Sequence, residues 1–235
     1  MNNPRIIVAL DFPNIKQALE FTSKLDKGLC RIKVGKELFT IGGPQLLEKL
    51  MAFGFEIFLD LKYHDIPNTV ASACRAASDL GVWMINVHAL GGKRMLVAAQ
   101  EALSTKKTKL VAVTLLTSLN KSDLKEIGLN EEPIDMVKRL TLLASDCGLD
   151  GVICSAVEAP QLRKITKKNF CLVTPGIRPL NCNPNDQIRV TTPQEAIQNG
   201  ADYLVIGRPI TQSSDPLSML QQLNHEIKSI VHNDN

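Results

Sequence analysis

One alternation runs through this 235-residue chain and constrains it more than any single motif does. A short, nearly continuous apolar run is followed by a segment with helical spacing, and the pair recurs eight times. The apolar runs are RIIVAL (5–10), CRIKVG (30–35), EIFLDLK (56–62), MINVHAL (84–90), KLVAVTLL (109–116), DGVICS (150–155), FCLVTPGI (170–177) and DYLVIGRP (202–209). Strands buried on both faces of a parallel sheet read in this way. The intervening helical segments are 14–25, 44–54, 66–81, 92–103, 133–148, 158–165, 192–200 and 215–231. Eight such units in a chain of this length predict the α/β class and a TIM (β/α)8 barrel, with residues 1–235 as a single domain. A doubly wound open sheet is the structural alternative, but no G-x-G-x-x-G follows the first run.

The composition narrows the function classes. Apolar residues make up 44% and charged residues 22%, as in ordinary globular proteins. A formal charge of +3 is too small to argue for nucleic acid or an anionic membrane, and a few anion-binding arginines account for it. Cysteines 30, 74, 147, 154, 171 and 182 show no C-x-x-C or paired Cys/His spacing. That argues for a reduced compartment and against zinc. The opening MNNPRIIVALD lacks the apolar core of a signal peptide, and no apolar stretch reaches membrane-helix length. The expected setting is the cytoplasm.

The barrel reading gives the charged residues a common address. Active sites of such barrels form at the C-terminal ends of the strands. Asp11 ends the first run, Lys33 lies in the second, and Asp60 and Lys62 end the third. Strand side chains alternate, so Asp60 and Lys62 share one face and Leu59 and Leu61 the other. Asp65 follows in the next loop. Charges inside parallel strands are uncommon, because burying an unpaired one is costly. Four charges from adjacent strands form either a catalytic cluster or a salt-bridge network that only fixes the barrel.

The last two runs point to an anion. They end in TPGIRP (174–179) and IGRPI (206–210), where barrels often hold phosphate. Arginine binds phosphate oxygens through charge-assisted bonds, and glycine lets backbone N–H groups approach. Arg178, Gly207 and Arg208 are the candidates, with Gln187 reaching in from the polar connection 179–193. That connection is either a lid or an ordinary loop.

Together these segments resemble the orotidine 5′-phosphate decarboxylases in their bacterial form. The matching pieces are ALDFP with Asp11, KVGKELF with Lys33, FLDLKYHDIPNT (58–69), VTLLTS (113–118), PGIRP with Arg178, DQIRVTTPQEAI (186–197) and GADYLVIGRPIT (200–211). They span nearly the whole chain in the family's order. D-x-K-x-x-D alone is shared with related barrels, whereas DLKYHDIPNT is specific. The resemblance implies decarboxylation of orotidine 5′-monophosphate to uridine 5′-monophosphate without metal or organic cofactor. It implies Lys62 as proton donor within a charged array of Lys33, Asp60, Lys62 and Asp65. It further implies a homodimer with shared sites, Asp65 and Thr69 coming from the neighbouring subunit. Asp11 would meet a ribose hydroxyl, and Thr117 and Ser118 would lie near ribose and pyrimidine. Gln187, Gly207 and Arg208 would hold the phosphate with Arg178. Neither nucleic acid nor membrane is an expected partner.

Three rival readings share parts of this pattern. A metal-dependent sugar-phosphate decarboxylase of the 3-keto-gulonate 6-phosphate type has the same D-x-K-x-x-D, but LTS and DQIRVTTP favour the nucleotide. A metal-dependent pentose-phosphate epimerase needs histidine and aspartate ligands that the strands lack. A non-catalytic phosphate-binding barrel would have lost part of the charged array. Other polar residues read as structural: His88 as a hydrogen-bonded barrel histidine, His64 as a turn residue, Arg189 as a lid or capping contact. Lys36 and Glu37 read as a rim pair, Trp83 as packing, and His225 and His232 as solvated.

Overall fold

Parallel strands cannot be joined by tight turns, so each must hand the chain to a crossover that returns along the sheet. In the computed structural model, which describes residues 3–179 and 191–231, these crossovers are helical. The order is β1 (Ile6–Ala9), α1 (Ile15–Thr22), β2 (Cys30–Gly35), α2 (Lys36–Ala52), β3 (Ile57–Tyr63), α3 (Pro67–Asp79), β4 (Met84–His88), α4 (Gly92–Ala102) and β5 (Lys109–Val113). It continues with α5 (Lys121–Glu126), α6 (Pro133–Asp146), β6 (Gly151–Ile153), α7 (Ala159–Ile165), β7 (Cys171–Thr174), α8 (Pro193–Gln198), β8 (Tyr203–Ile206), α9 (Arg208–Thr211) and α10 (Pro216–Val231). The strands pair in sequence order, all parallel, and β8 closes onto β1. The fold is the expected TIM barrel.

Alternation along each strand sorts side chains between two cores. Ile32, Val34, Ile57 and Leu59 face outward into the layer shared with the helices. Ile7, Ala9, Phe58, Met84, Val111, Val173, Tyr203 and Val205 fill the barrel interior. The N-terminal end of the barrel is plugged by Arg31. Its guanidinium lies 4.1 Å from the Trp83 ring centroid and 5.3 Å from that of Tyr203. It also bonds Glu56 and the backbone carbonyl of Pro4. Trp83 is therefore the packing residue expected of it.

Every expected strand exists, but most stop earlier than the apolar runs do. DYLVIGRP ends as a strand at Ile206, because Gly207 turns the chain into α9. The α2 helix begins at Lys36, well before the expected 44, and is broken within by Gly43, whose φ is 54°. Pro44 reads as a helix start, which hid the helical turns preceding it. The short α5 was not expected at all. Its N-terminus is held by a capping box between Asn120 and Asp123, and Leu124 is its one buried side chain. A single buried position gives no periodicity to read.

Candidate active site

The C-terminal mouth of the barrel opens into a cavity of about 280 Å³. Asp11, Lys33, Asp60, Lys62, Thr117, Arg178, Gly207 and Arg208 all line it. Its floor is apolar, made of Ala9, Phe58, Ile153 and Val205. Register explains the convergence: Ala9 pairs with Lys33, and Lys33 with Phe58, so the same level of three strands faces inward. Asp60 lies two residues further along the inward face.

The charges form one line. Lys33 Nζ lies 3.4 Å from Asp11 Oδ1 and 3.4 Å from Asp60 Oδ2. Lys62 Nζ donates to Asp60 Oδ1 at 2.6 Å. Lys33 and Asp60 are buried, whereas the Asp11 side chain is 70% exposed. Burial alone would push the Asp60 carboxyl up. The ammonium groups of Lys33 and Lys62, with hydrogen bonds from Lys62 and Asn86, outweigh that and hold it below its usual value. Asp60 is thus an anion between two cations, a poor seat for a divalent metal. Among the described residues, no group of three or more His, Cys, Asp or Glu is placed to hold one.

The backbone at Lys62 departs from strand geometry. Its φ is 53°, the only positive value among described residues other than glycine. The β3–β4 register shifts between Leu59 and Tyr63. A non-glycine residue held in this region costs on the order of 1–3 kcal/mol, and such strain gathers at functional sites. Asn86 offsets it. Its Oδ1 accepts the Lys62 backbone N–H at 2.8 Å, and its Nδ2 donates to Asp60 Oδ1 at 2.7 Å. Asn86 is not among the candidate residues that the sequence singles out. The available signal was a lone amide at an inward position of the apolar run MINVHAL.

Three expected site residues lie apart from the cavity. Asp65 is exposed in the loop after β3, and its carboxylate accepts the Ile66 N–H at 2.6 Å. Among the described residues it pairs with neither Lys33 nor Lys62. Thr69, in the first turn of α3, is exposed, and so is Ser118. Gln187, Arg189, His232, Cys182 and most of the 179–193 connection lie outside the described residues. Arg178 lines the cavity although it is buried, with its backbone N–H on Thr191 O and Nη1 on Ile177 O.

His88 differs from expectation. It makes a ring contact with His64, centroids 5.4 Å apart, and its side chain has no hydrogen bond among the described residues. Burial, then His64, Lys62 and Lys36, push its pKa down to about 4 against the opposing pull of Asp60. Among the described residues Lys36 and Glu37 form no ion pair with each other, and His225 is exposed. Cys30, Cys74, Cys147, Cys154 and Cys171 are free and buried. Burial holds the thiols of Cys30, Cys74 and Cys171 at about 12, so they pack as small hydrophobes.

Comparison with known proteins converges on one family. Residues 4–223 match the family model described as Orotidine 5'-phosphate decarboxylase / HUMPS family. A protein of Nitrosomonas europaea named orotidine 5′-phosphate decarboxylase is 64% identical over 231 residues, 98% of this chain and 100% of that one. Its namesake from Hydrogenovibrio crunogenus is 57% identical over 227 residues, 96% of each. Among solved structures, orotidine 5′-phosphate decarboxylase from Lactobacillus acidophilus superposes with a TM-score of 0.86 at 38% identity, covering 96% of this chain and 99% of that one.

Proposed function

The chain belongs to the orotidine 5′-phosphate decarboxylase / HUMPS family, and from that premise we propose that it converts orotidine 5′-monophosphate to uridine 5′-monophosphate and CO2 in pyrimidine synthesis. The reaction uses no metal and no organic cofactor, and Lys62 delivers the proton. The observation that carries this reading is the line Asp11–Lys33–Asp60–Lys62 facing two arginines across one cavity. Such a site suits a nucleotide monophosphate: a cationic end for phosphate, a charged end for chemistry, and an apolar floor between.

The chemistry requires these groups. Breaking the C6–carboxylate bond leaves its electron pair on a ring carbon with no adjacent carbonyl to spread it. With no cofactor as electron sink, the protein must stabilise that charge directly. An ammonium and a carbanion about 4 Å apart attract by on the order of 4 kcal/mol at an effective dielectric near 20. The Lys62 Nζ–H proton then passes to C6, and the neutral amine regains a proton from water. Asp60 faces the departing carboxylate, a like-charge contact relieved as CO2 leaves. General acid catalysis supplies about 10²–10⁴ in rate, while enzymes reach about 10¹⁷. The remainder comes from the preset field and from binding energy at the remote phosphate. Arg178, Gly207, Arg208 and Gln187 take the phosphate, Asp11 the ribose, and Thr117 and Ser118 the region between ribose and pyrimidine.

Asp65 and Thr69 act in the neighbouring subunit's site, within a homodimer. Both are exposed and far from a role in their own chain's charge line. Ile66 between them is 66% exposed, and Leu90 and Leu116, in the loops after β4 and β5, are exposed as well. Loops after three neighbouring strands thus present apolar surface that a second copy would cover. No described helix is long and apolar enough to cross a membrane, and the cytoplasm is the proposed location.

One assay tests the reaction: orotidine 5′-monophosphate with excess EDTA, followed by ultraviolet absorbance. Steady loss of signal is expected. An unchanged spectrum sinks the assignment, and turnover only with added metal moves it to the sugar-phosphate branch of the family.

A further inference from the structure

We infer that Asn86 is a positioning residue that holds Lys62 in its left-handed backbone conformation and thereby aims the ammonium at the reacting carbon. The inference rests on the reading of Lys62 as proton donor. Asn86 is fully buried on the inward face of β4. Its amide spans two atoms whose relative placement defines the site. Oδ1 takes the Lys62 N–H at 2.8 Å, and Nδ2 gives to Asp60 Oδ1 at 2.7 Å. The Lys62 ammonium returns to that same oxygen at 2.6 Å, which closes a ring of three hydrogen bonds.

The ring admits one orientation of the amide. Turned over, it would set its oxygen against a carboxylate oxygen and its NH2 against an N–H. No other residue type makes both bonds without penalty. An aspartate would place a second charge against Asp60, a leucine would make neither bond, and a glutamine is one methylene too long for the gap. Lys62 lies where L residues rarely sit, at φ 53° and beside a register shift, so its backbone has little intrinsic reason to stay there. The bond from Asn86 to that N–H is the contact that selects it. Asp60, meanwhile, keeps its other oxygen for Lys33, at 3.4 Å. One neutral side chain therefore sets both the direction of the lysine and the orientation of its counter-ion.

The test uses the full chain with Asn86→Ala and Asn86→Leu, the second retaining most of the side-chain volume in case the first does not fold. Expected is a fall in kcat of about 100-fold, the scale of a 1 Å misplacement. KM and the Kd of uridine 5′-monophosphate should stay within about threefold, because binding at the phosphate and ribose does not pass through Asn86. In crystal structures of the variants, Lys62 should leave positive φ, and its Nζ should leave Asp60. A kcat within about threefold of the unaltered protein overturns the inference. So does a variant structure with Lys62 unmoved, or a parallel loss of kcat, nucleotide affinity and melting temperature. Should the unaltered chain fail to turn over the nucleotide, the proposed reaction falls, while the crystallographic readout still decides the role of Asn86.

Discussion

Lys62 shows how far residue-level reasoning reaches. Strict alternation along FLDLK places Asp60 and Lys62 on one face, and both line the cavity. Alternation is silent on the backbone turning to positive φ at Lys62, because that depends on Asn86, which is 24 positions away in sequence. Two substitutions separate the side chain from the backbone. Lys62→Ala should nearly abolish turnover and leave uridine 5′-monophosphate binding within a few fold. Lys62→Gly should be equally inactive yet more stable than Lys62→Ala by about 1 kcal/mol, since glycine accepts positive φ and loses part of that gain to chain entropy. Denaturant unfolding of the pair checks this, and equal midpoints would remove the strain. At the phosphate end, Arg208→Ala should lower kcat/KM at least tenfold or so, the value of a charge-assisted bond. Unchanged kinetics would remove Arg208 from phosphate binding.

Elements were legible where one face is buried over several turns and obscure where it is not. The strands and the long amphipathic helices α3, α4, α6 and α10 fall within a few residues of their apolar patterns. The first turns of α2, the six residues of α5 and the four of α9 carry too few buried positions to announce themselves. The β6–β7 pair holds a constraint that is invisible in sequence. A Cβ on Gly151 would lie 2.1 Å from the backbone oxygen of Cys171 and 2.4 Å from its Sγ. Glycine is needed there for space and not for φ. Gly151→Ala should destabilise by about 1–3 kcal/mol through overpacking, because strand backbone cannot step aside as a surface side chain does. A denaturation midpoint unchanged by the substitution would show that β7 yields.

At the scale of the whole molecule, protonation links the site to folding. The folded-state pKa of His88, about 4, lies below its ordinary value near 6.5. The unfolded chain therefore binds a proton first as pH falls. Stability contributed by neutral His88 is fully present above about 6.5 and is lost between there and about 4. Asp60, with its pKa also lowered, adds a second loss below the carboxylate range, where its charge is removed and two ammonium groups are left facing each other. Melting temperature against pH should thus fall in two stages, and His88→Gln should flatten only the upper one. Assembly is tested at the same scale. Lys62→Ala and Asp65→Asn proteins, each inactive, should regain about a quarter of full activity after equal mixing, unfolding and refolding, since half the dimers are mixed and each of those holds one intact site. No recovery would return Asp65 to its own chain. The sequence alone placed the barrel and its charged mouth, but the loops proposed to meet a second copy look in sequence like any exposed loop.

The Arg31 stopper beneath the barrel has a consequence for traffic. With Trp83 and Tyr203 stacked on that guanidinium and apolar side chains filling the bore above it, the described residues close the N-terminal end and leave the chamber open at its C-terminal mouth. A gas molecule released on the proposed reaction must depart past the nucleotide that produced it. Whichever leaves more slowly would set the interval before the next arrival, and on the proposed binding at phosphate and ribose the larger nucleotide is expected to be that passenger.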